Sequence, residues 1–257
     1  VRRDSAAVVG RLIAIQLSDF SMSLNDISRF GLAVETSGRV GSVAAVRDGV
    51  VVDDRAVPHE LAHAAGLVQL MADVVSGQAW KPADVRCLHV SAGPGSFTGL
   101  RIGITAVKTL ALVTGARIVP VPTPHVLAMN APADARHVIV VLDAKRDQIF
   151  TARYERVDGM WVQRDGPRVD SLASVLAVAP RPVHLIGEGI PFHEKFLPPD
   201  RQGIVIAAGD SWRARAPALA VLGVERERLG LFADADLLTP VYVRKPEAEE
   251  KWDALRK

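Results

Sequence analysis

Residues His59 to Gln69 read HELAHAAGLVQ, that is, H-E-x-x-H-x-x-G-x-x-Q. On a helix His59 and His63 stand one turn apart with Glu60 beside them, the arrangement in which zinc peptidases hold the metal with two imidazoles and use the carboxylate as general base. A third ligand is then due at Gln69, and a carboxamide is a poor zinc ligand. The stretch is read first as a helix that carries two histidines, with no metal site expected; a zinc peptidase built on His59, Glu60 and His63 is the remote alternative.

Other chemistry-bearing residues sit where apolar runs end. Glu35 in AVETSG and Asp143 in VLDAK each close a strand-like run, where acids can serve a metal–phosphate site or simply cap a turn. The segment SAGPGSFTGLRIG joins an apolar run to a helical one through Gly93, Gly95 and Gly99, with Ser96 or Thr98 as N-cap. Such a turn can offer backbone N–H groups to an anion. Its spacing, G-x-G-x-x-x-G, is not the dinucleotide fingerprint, and the following run ARIVPV ends without an acid for a ribose. Lys108-Thr109 lies well inside the helical run, so no P-loop is present either. The candidate phosphate-facing set is Glu35, Gly93, Gly95, Ser96, Thr98, Arg101 and Asp143.

The elements that would position these residues repeat. GLAVET, VGSVAAVR and VVVDDRA are three β-rich runs separated by Ser37-Gly38 and Asp48-Gly49 turns. A helix over 59–75, the strand CLHVSA, a helix over 97–114 and the strand ARIVPV follow. HVIVVLDA, DQIFTARYE and MWVQRD then start the same order again, with an Asp158-Gly159 turn, a helix near 171–178, the strands VHLIG and GIVIAA, and a helix over 212–226. Two βββαβα units in tandem predict an α/β, actin-like (ASKHA) duplicated two-lobe fold. The expected organisation is an extension over 1–28, a first lobe over 29–130, and a reduced second lobe with a C-terminal tail over 131–257.

The 97–114 helix is apolar nearly all round, with Arg101 and Lys108 marking its one polar stripe, so more than one face must be covered. Lobe packing covers one face; for the rest, simple core burial is the default and a helix from a partner is the alternative that the excess suggests. With 31 basic and 29 acidic residues there is no broad charge for tight nucleic-acid binding. The single cysteine, Cys87, excludes an intrachain disulfide and fits a reducing compartment. No run of 18 apolar residues is present, so no membrane span is expected.

GPGSFTGLRIG, taken with LAVETSG, VLDAKRDQIFTARY, GEG at 187–189 and PVYVRKPEAEEKW, resembles the TsaB (YeaZ) family of tRNA threonylcarbamoyladenosine biosynthesis. The resemblance runs from about Gly31 to Trp252. It implies an actin-like fold and a non-catalytic, cytoplasmic scaffold that pairs with the catalytic paralogue TsaD or with itself, and is bound by the ATPase TsaE. ATP and metal would then be held by partner subunits, with no cofactor on this chain alone, and tRNA would be reached only through the complex. The implied pairing surface is the two first-lobe helices, with His63, Leu67, Val68, Leu70, Met71, Val75, Leu100, Ile104, Val107 and Lys108 as contacts. A charge at Leu67 or Met71 is expected to break pairing and leave the chain folded. The positions of TsaD's metal-binding histidines fall on Thr123 and Leu127, which cannot replace them, with His125 standing alone nearby. Glu35 stands where the family carries aspartate. The alternative function is an actin-fold ATPase or phosphotransferase using Glu35, Asp143 and the loop amides.

Overall fold

The computed structural model describes residues 28–57 and 64–243. The 1–27 extension, the motif residues His59, Glu60 and His63, and the tail from 244 on lie outside the described residues.

The first sheet begins with β1 (Phe30–Glu35), β2 (Ser42–Arg47) and β3 (Val50–Ala56). β2 and β3 are joined at Asp48-Gly49, with φ of 51° and 80°. Both central residues are left-handed, as the tight hairpin turn favoured by Asp-Gly requires. Helix α1 (Ala64–Gly77), β4 (Cys87–Gly93), helix α2 (Phe97–Thr114) and β5 (Arg117–Pro122) follow. The strands order as β3-β2-β1-β4-β5, antiparallel in the meander and parallel from β1 through β5. Helix α2 starts where expected because the Ser96 side chain accepts the Gly99 N–H at 3.2 Å, and it stops at Gly115, whose φ of 71° only glycine adopts freely.

The second half comprises α3 (Thr123–Ala128), β6 (His137–Asp143), β7 (Ile149–Val157), β8 (Met160–Asp170), α4 (Leu172–Ala177), β9 (Val183–Ile186), α5 (Ile190–His193), β10 (Ile204–Ile206) and α6 (Ala216–Arg228). Its sheet runs β8-β7-β6-β9-β10, the first sheet's order repeated, with Asp158-Gly159 again closing the hairpin at φ of 51° and 82°. This is the duplicated actin-like fold. The second copy is reduced where α2 would recur, since α5 is a single turn.

Two helices differ from expectation. Residues 123–128 form α3, a helix opened by Pro124 in its first turn. The helix expected from Trp212 starts at Ala216, because Pro217 suits only the first turn, and Gly209–Trp212 forms a separate 3-10 turn. The boundary at 130/131 divides the two sheets but not the packing. α6 returns to the first sheet, where the Ala216 N–H donates to Ser42 Oγ at 2.9 Å and Arg226 Nε donates to the Pro120 carbonyl at 2.8 Å. The tail follows it, with the Val241 N–H donating to the Ala92 carbonyl at 2.7 Å.

Three cores result. α1 and α2 cover the outer face of the first sheet through Leu67, Val74, Ile104 and Val107. α6, α3 and the inner faces of both sheets share a second core around Val140, Tyr154, Leu127 and Leu219. The third lies beneath α4 on the far face of the second sheet. By length and composition α2 is apolar enough to cross a membrane, which the sequence reading did not expect; here its Leu100, Ile104 and Val107 stripe is buried in the lobe.

The tightest contact joins α2 to the turn after β1. A Cβ at Gly95, Gly99 or Gly103 would lie closer than 3.0 Å to the backbone or side chain of Thr36 and Ser37. Gly99→Ala is therefore expected to cost about 1–3 kcal/mol in urea unfolding, the usual range for overpacking. Gly209, with no atom of the described residues within 4 Å of its Cβ position, is the control; Gly209→Ala should stay within about 0.5 kcal/mol of the parent. Equal stability of the two variants would contradict the contact.

Candidate functional site

On the outer face, α1 and α2 lie side by side and leave an apolar groove of about 390 Å³ between them. Its walls are Val68, Met71, Ala72 and Val75 from α1 and Thr105, Ala106, Thr109, Leu110 and Val113 from α2, with Pro82 at one end. Spacings of four along each helix build these walls, because residues i and i+4 share a face. Val68 is 57% exposed, Val113 78% and the adjoining Leu112 86%.

The residues expected as contacts fall on two sides of these helices. Leu67, Leu70, Leu100, Ile104 and Val107 are buried in the lobe, Leu67 being 2% exposed. They hold the helices on the sheet and are not free for a partner. The alternation of apolar residues on α2 marks two stripes, and the one at Leu100, Ile104 and Val107 is the inner one. Val68, Met71 and Val75 do line the groove, Met71 and Val75 as its floor. Lys108 turns to the chain's own tail, with Nζ 3.4 Å from the Leu238 carbonyl oxygen. His63 lies outside the described residues. Ala72, Thr105, Ala106, Thr109, Leu110 and Val113 also line the groove, with Leu112 adjoining it; the apolar Leu112-Val113 pair at the helix end was their one signal in the sequence.

The glycine loop is occupied by the chain itself. The Ser96 N–H donates to the Ser37 carbonyl at 2.7 Å, and the Gly99 N–H is taken by Ser96 Oγ. Gly93 lies against the backbone of Val241. Arg101, expected to face phosphate, instead stacks over Phe97 at 3.9 Å and donates from Nε to Tyr242 Oη at 2.9 Å. Thr98 is exposed on the first turn of α2.

The two strand-end acids have different settings. Glu35 is fully buried and accepts from the Ser37 N–H at 2.7 Å, from Ser37 Oγ at 2.6 Å and from Ser91 Oγ. Burial pushes its carboxyl above the ordinary range, against the opposing hydroxyl and amide donors and with some help from Glu188. Asp143 is half-buried at the end of β6, 2.8 Å from Lys145 Nζ and 3.2 Å from His193 Nε2. Burial acts to raise its carboxyl, but Lys145 and His193 outweigh that and hold it low. Between the lobes, Glu188 Oε2 accepts the Arg39 N–H at 3.2 Å while Oε1 lies 3.7 Å from Arg213 Nε. This bridge was not anticipated, although GEG was noted. Thr123 and Leu127 are buried, and His125 stacks on Tyr154 at 5.3 Å with burial, then Arg226, pulling its imidazole down to about 4. A neutral, stacked ring is a packing element.

For Glu35 the folded value lies above the unfolded one, so its contribution is present at low pH and is lost as pH rises from about 4.3 through the raised folded value. Glu35→Gln is therefore expected to gain stability relative to the parent between pH 4 and 8, read by urea unfolding at each pH. Parallel profiles would contradict the buried carboxyl.

A family model described as TsaD, tRNA N6-adenosine threonylcarbamoyltransferase, matches residues 57–252, well over half of the chain. The chain is 29% identical over 226 residues to the tRNA threonylcarbamoyladenosine biosynthesis protein TsaB of Bacillus subtilis (strain 168), covering 86% of this chain and 96% of that protein. Identity to the Escherichia coli (strain K12) protein of the same name is 27% over 228 residues, with the same coverages of 86% and 96%. The solved structure of YeaZ from Pseudomonas aeruginosa superposes with a TM-score of 0.71 at 25% identity, covering 83% of this chain and 99% of that one. Matches that run nearly the full length of these relatives, on a duplicated actin-like fold, mean that the chain belongs to the TsaB (YeaZ) family.

Proposed function

We propose that this chain is a non-catalytic, cytoplasmic scaffold of tRNA threonylcarbamoyladenosine synthesis, and that it docks the catalytic TsaD subunit through the groove between α1 and α2. The observation that carries this reading is the open apolar groove with Val68, Leu112 and Val113 exposed at its margin. Apolar surface of this kind gains free energy when an amphipathic helix pair from another chain covers it. A paralogue with matching helices supplies such a surface, and so does a second copy of this chain. TsaE would join the assembled pair, and tRNA, ATP and the catalytic metal would be held on the partners.

The competing reading is an actin-fold ATPase working through Glu35, Asp143 and the loop amides. Three features support the scaffold over it: the Ser37 carbonyl takes the Ser96 amide, Glu35 is buried beneath Ser37 and Ser91, and Arg101 is committed to Tyr242. Calorimetric titration of the full chain with ATP and magnesium separates the two: heat of binding to one site per chain, lost in Asp143→Asn, favours the ATPase, and no heat favours the scaffold.

The groove assignment makes a sharper prediction than the sequence did. Val68→Glu and Val113→Glu should leave the chain folded and weaken association with TsaD by at least thirtyfold, the factor for a hot spot of about 2 kcal/mol. Met160→Glu, at an exposed site on the second lobe, should bind as the parent does. Leu67→Glu should unfold the chain, because it places a charge in the first lobe's core. Undiminished binding by both groove variants would remove the assignment.

A further inference from the structure

On the inner face of the first sheet, opposite the groove, three side chains of metal-binding type converge. Cys87 and His89 are two residues apart on β4, so strand alternation puts both on the face covered by α6. Glu227, in the last turn of α6, meets them there. One ligand atom from each, a sulfur, an imidazole nitrogen and a carboxylate oxygen, lie within 4.8 Å of one another, and all three residues are buried. Around a zinc ion such atoms stand about 3.5 Å apart, so closure needs shifts of about 1 Å or less.

The histidine is the second observation. His89 is fully buried; among the described residues its Nδ1 has no hydrogen-bond partner, and its Nε2 pairs with Glu227 Oε2 at 3.5 Å. Buried polar atoms are normally partnered, so an orphaned ring nitrogen calls for an explanation. The His89 side chain lies against Gly223, where a Cβ would come closer than 3.0 Å to it. The other carboxylate oxygen, Glu227 Oε1, already has its own partners, the Ser28 N–H at 2.8 Å and Arg117 Nη2 at 3.6 Å. That leaves Oε2 directed at His89.

We propose that Cys87, His89 and Glu227 bind one zinc ion that fastens α6 to β4, with a water as fourth ligand. The inference does not depend on the docking groove. Thiolate and imidazole select zinc over hard oxygen-seeking cations. Zinc with one thiolate, one carboxylate and a neutral imidazole sums to zero charge, and Arg117 at Glu227 Oε1 adds one positive charge at the half-exposed rim. Burial, reinforced by Glu227, holds the Cys87 thiol well above its ordinary range, whereas Glu227 is held down to about 2, burial being outweighed by His89 and Ser28. Binding therefore forms the Zn–S, Zn–N and Zn–O bonds and releases the thiol proton to solvent, so affinity rises with pH.

The test uses the full chain, stripped with chelator and titrated with Co²⁺ and then Zn²⁺. One equivalent of Co²⁺ should bind with a thiolate-to-metal charge-transfer band in the near ultraviolet, Zn²⁺ should displace it, and the thermal midpoint should rise with Zn²⁺ concentration. Cys87→Ala, which keeps a small apolar side chain, should lose the band; a His59→Ala/His63→Ala double variant should keep it. No bound equivalent, a bound ion without the thiolate band, or loss of the band in the double variant would overturn the proposal. The parent spectrum decides even if Cys87→Ala fails to fold.

Discussion

The first lobe depends on a contact between two stretches of backbone that leaves no room for a side chain. The turn at Thr36 and Ser37 is pressed against Gly95, Gly99 and Gly103, and the Ser96 amide donates to the Ser37 carbonyl. This fixes where α2 begins and how it lies on the sheet. Because a helix exposes whatever its inner stripe leaves over, fixing its rotation also fixes which residues face out. The groove on α1 and α2 is thus set by glycines that precede its α2 wall in the chain. The same turn lies over Glu35, whose carboxylate is held by Ser37 and Ser91.

The consequence for chemistry is a loop that has the shape of an anion cradle and is filled by its own chain. The Ser96 and Gly99 amides are bonded internally, and Arg101, in the first turns of α2, is held by Phe97 and Tyr242. The second lobe keeps an ionised Asp143 beside Lys145 and His193, and Glu188 ties the lobes together at Arg39. The outer face of the first lobe carries the open apolar groove, and the inner face carries α6 over Cys87 and His89. The two faces of one sheet thereby take different tasks, one presenting helices and the other clamping the returning chain.

Much of the fold was legible because its signals are local. Asp48-Gly49 and Asp158-Gly159 demand left-handed turns, Ser96 and Gly115 delimit α2, and the tandem order of runs announces the duplication. What was not legible was long-range. Nothing near Ala216 says that α6 crosses to the first sheet, or that Glu227 meets residues 87 and 89. An apolar helix likewise does not declare which stripe is inner, so Leu67, Leu100, Ile104 and Val107 read as docking residues when they are core. Gly95 and Gly99 read as phosphate-binding because close approach to a phosphate and close approach to a carbonyl require the same missing Cβ.

The central claim is that a partner protein covers the outer groove and not the cleft between the lobes. Hydrogen–deuterium exchange of the full chain, alone and in complex with TsaD, addresses it directly. The account predicts new protection confined to Gly66–Gly77 and the Thr105–Val113 stretch, with exchange around Asp143 and Glu188 unchanged. Protection centred on Asp143, Glu188 and Arg39, with both helices exchanging as in the free chain, would contradict it.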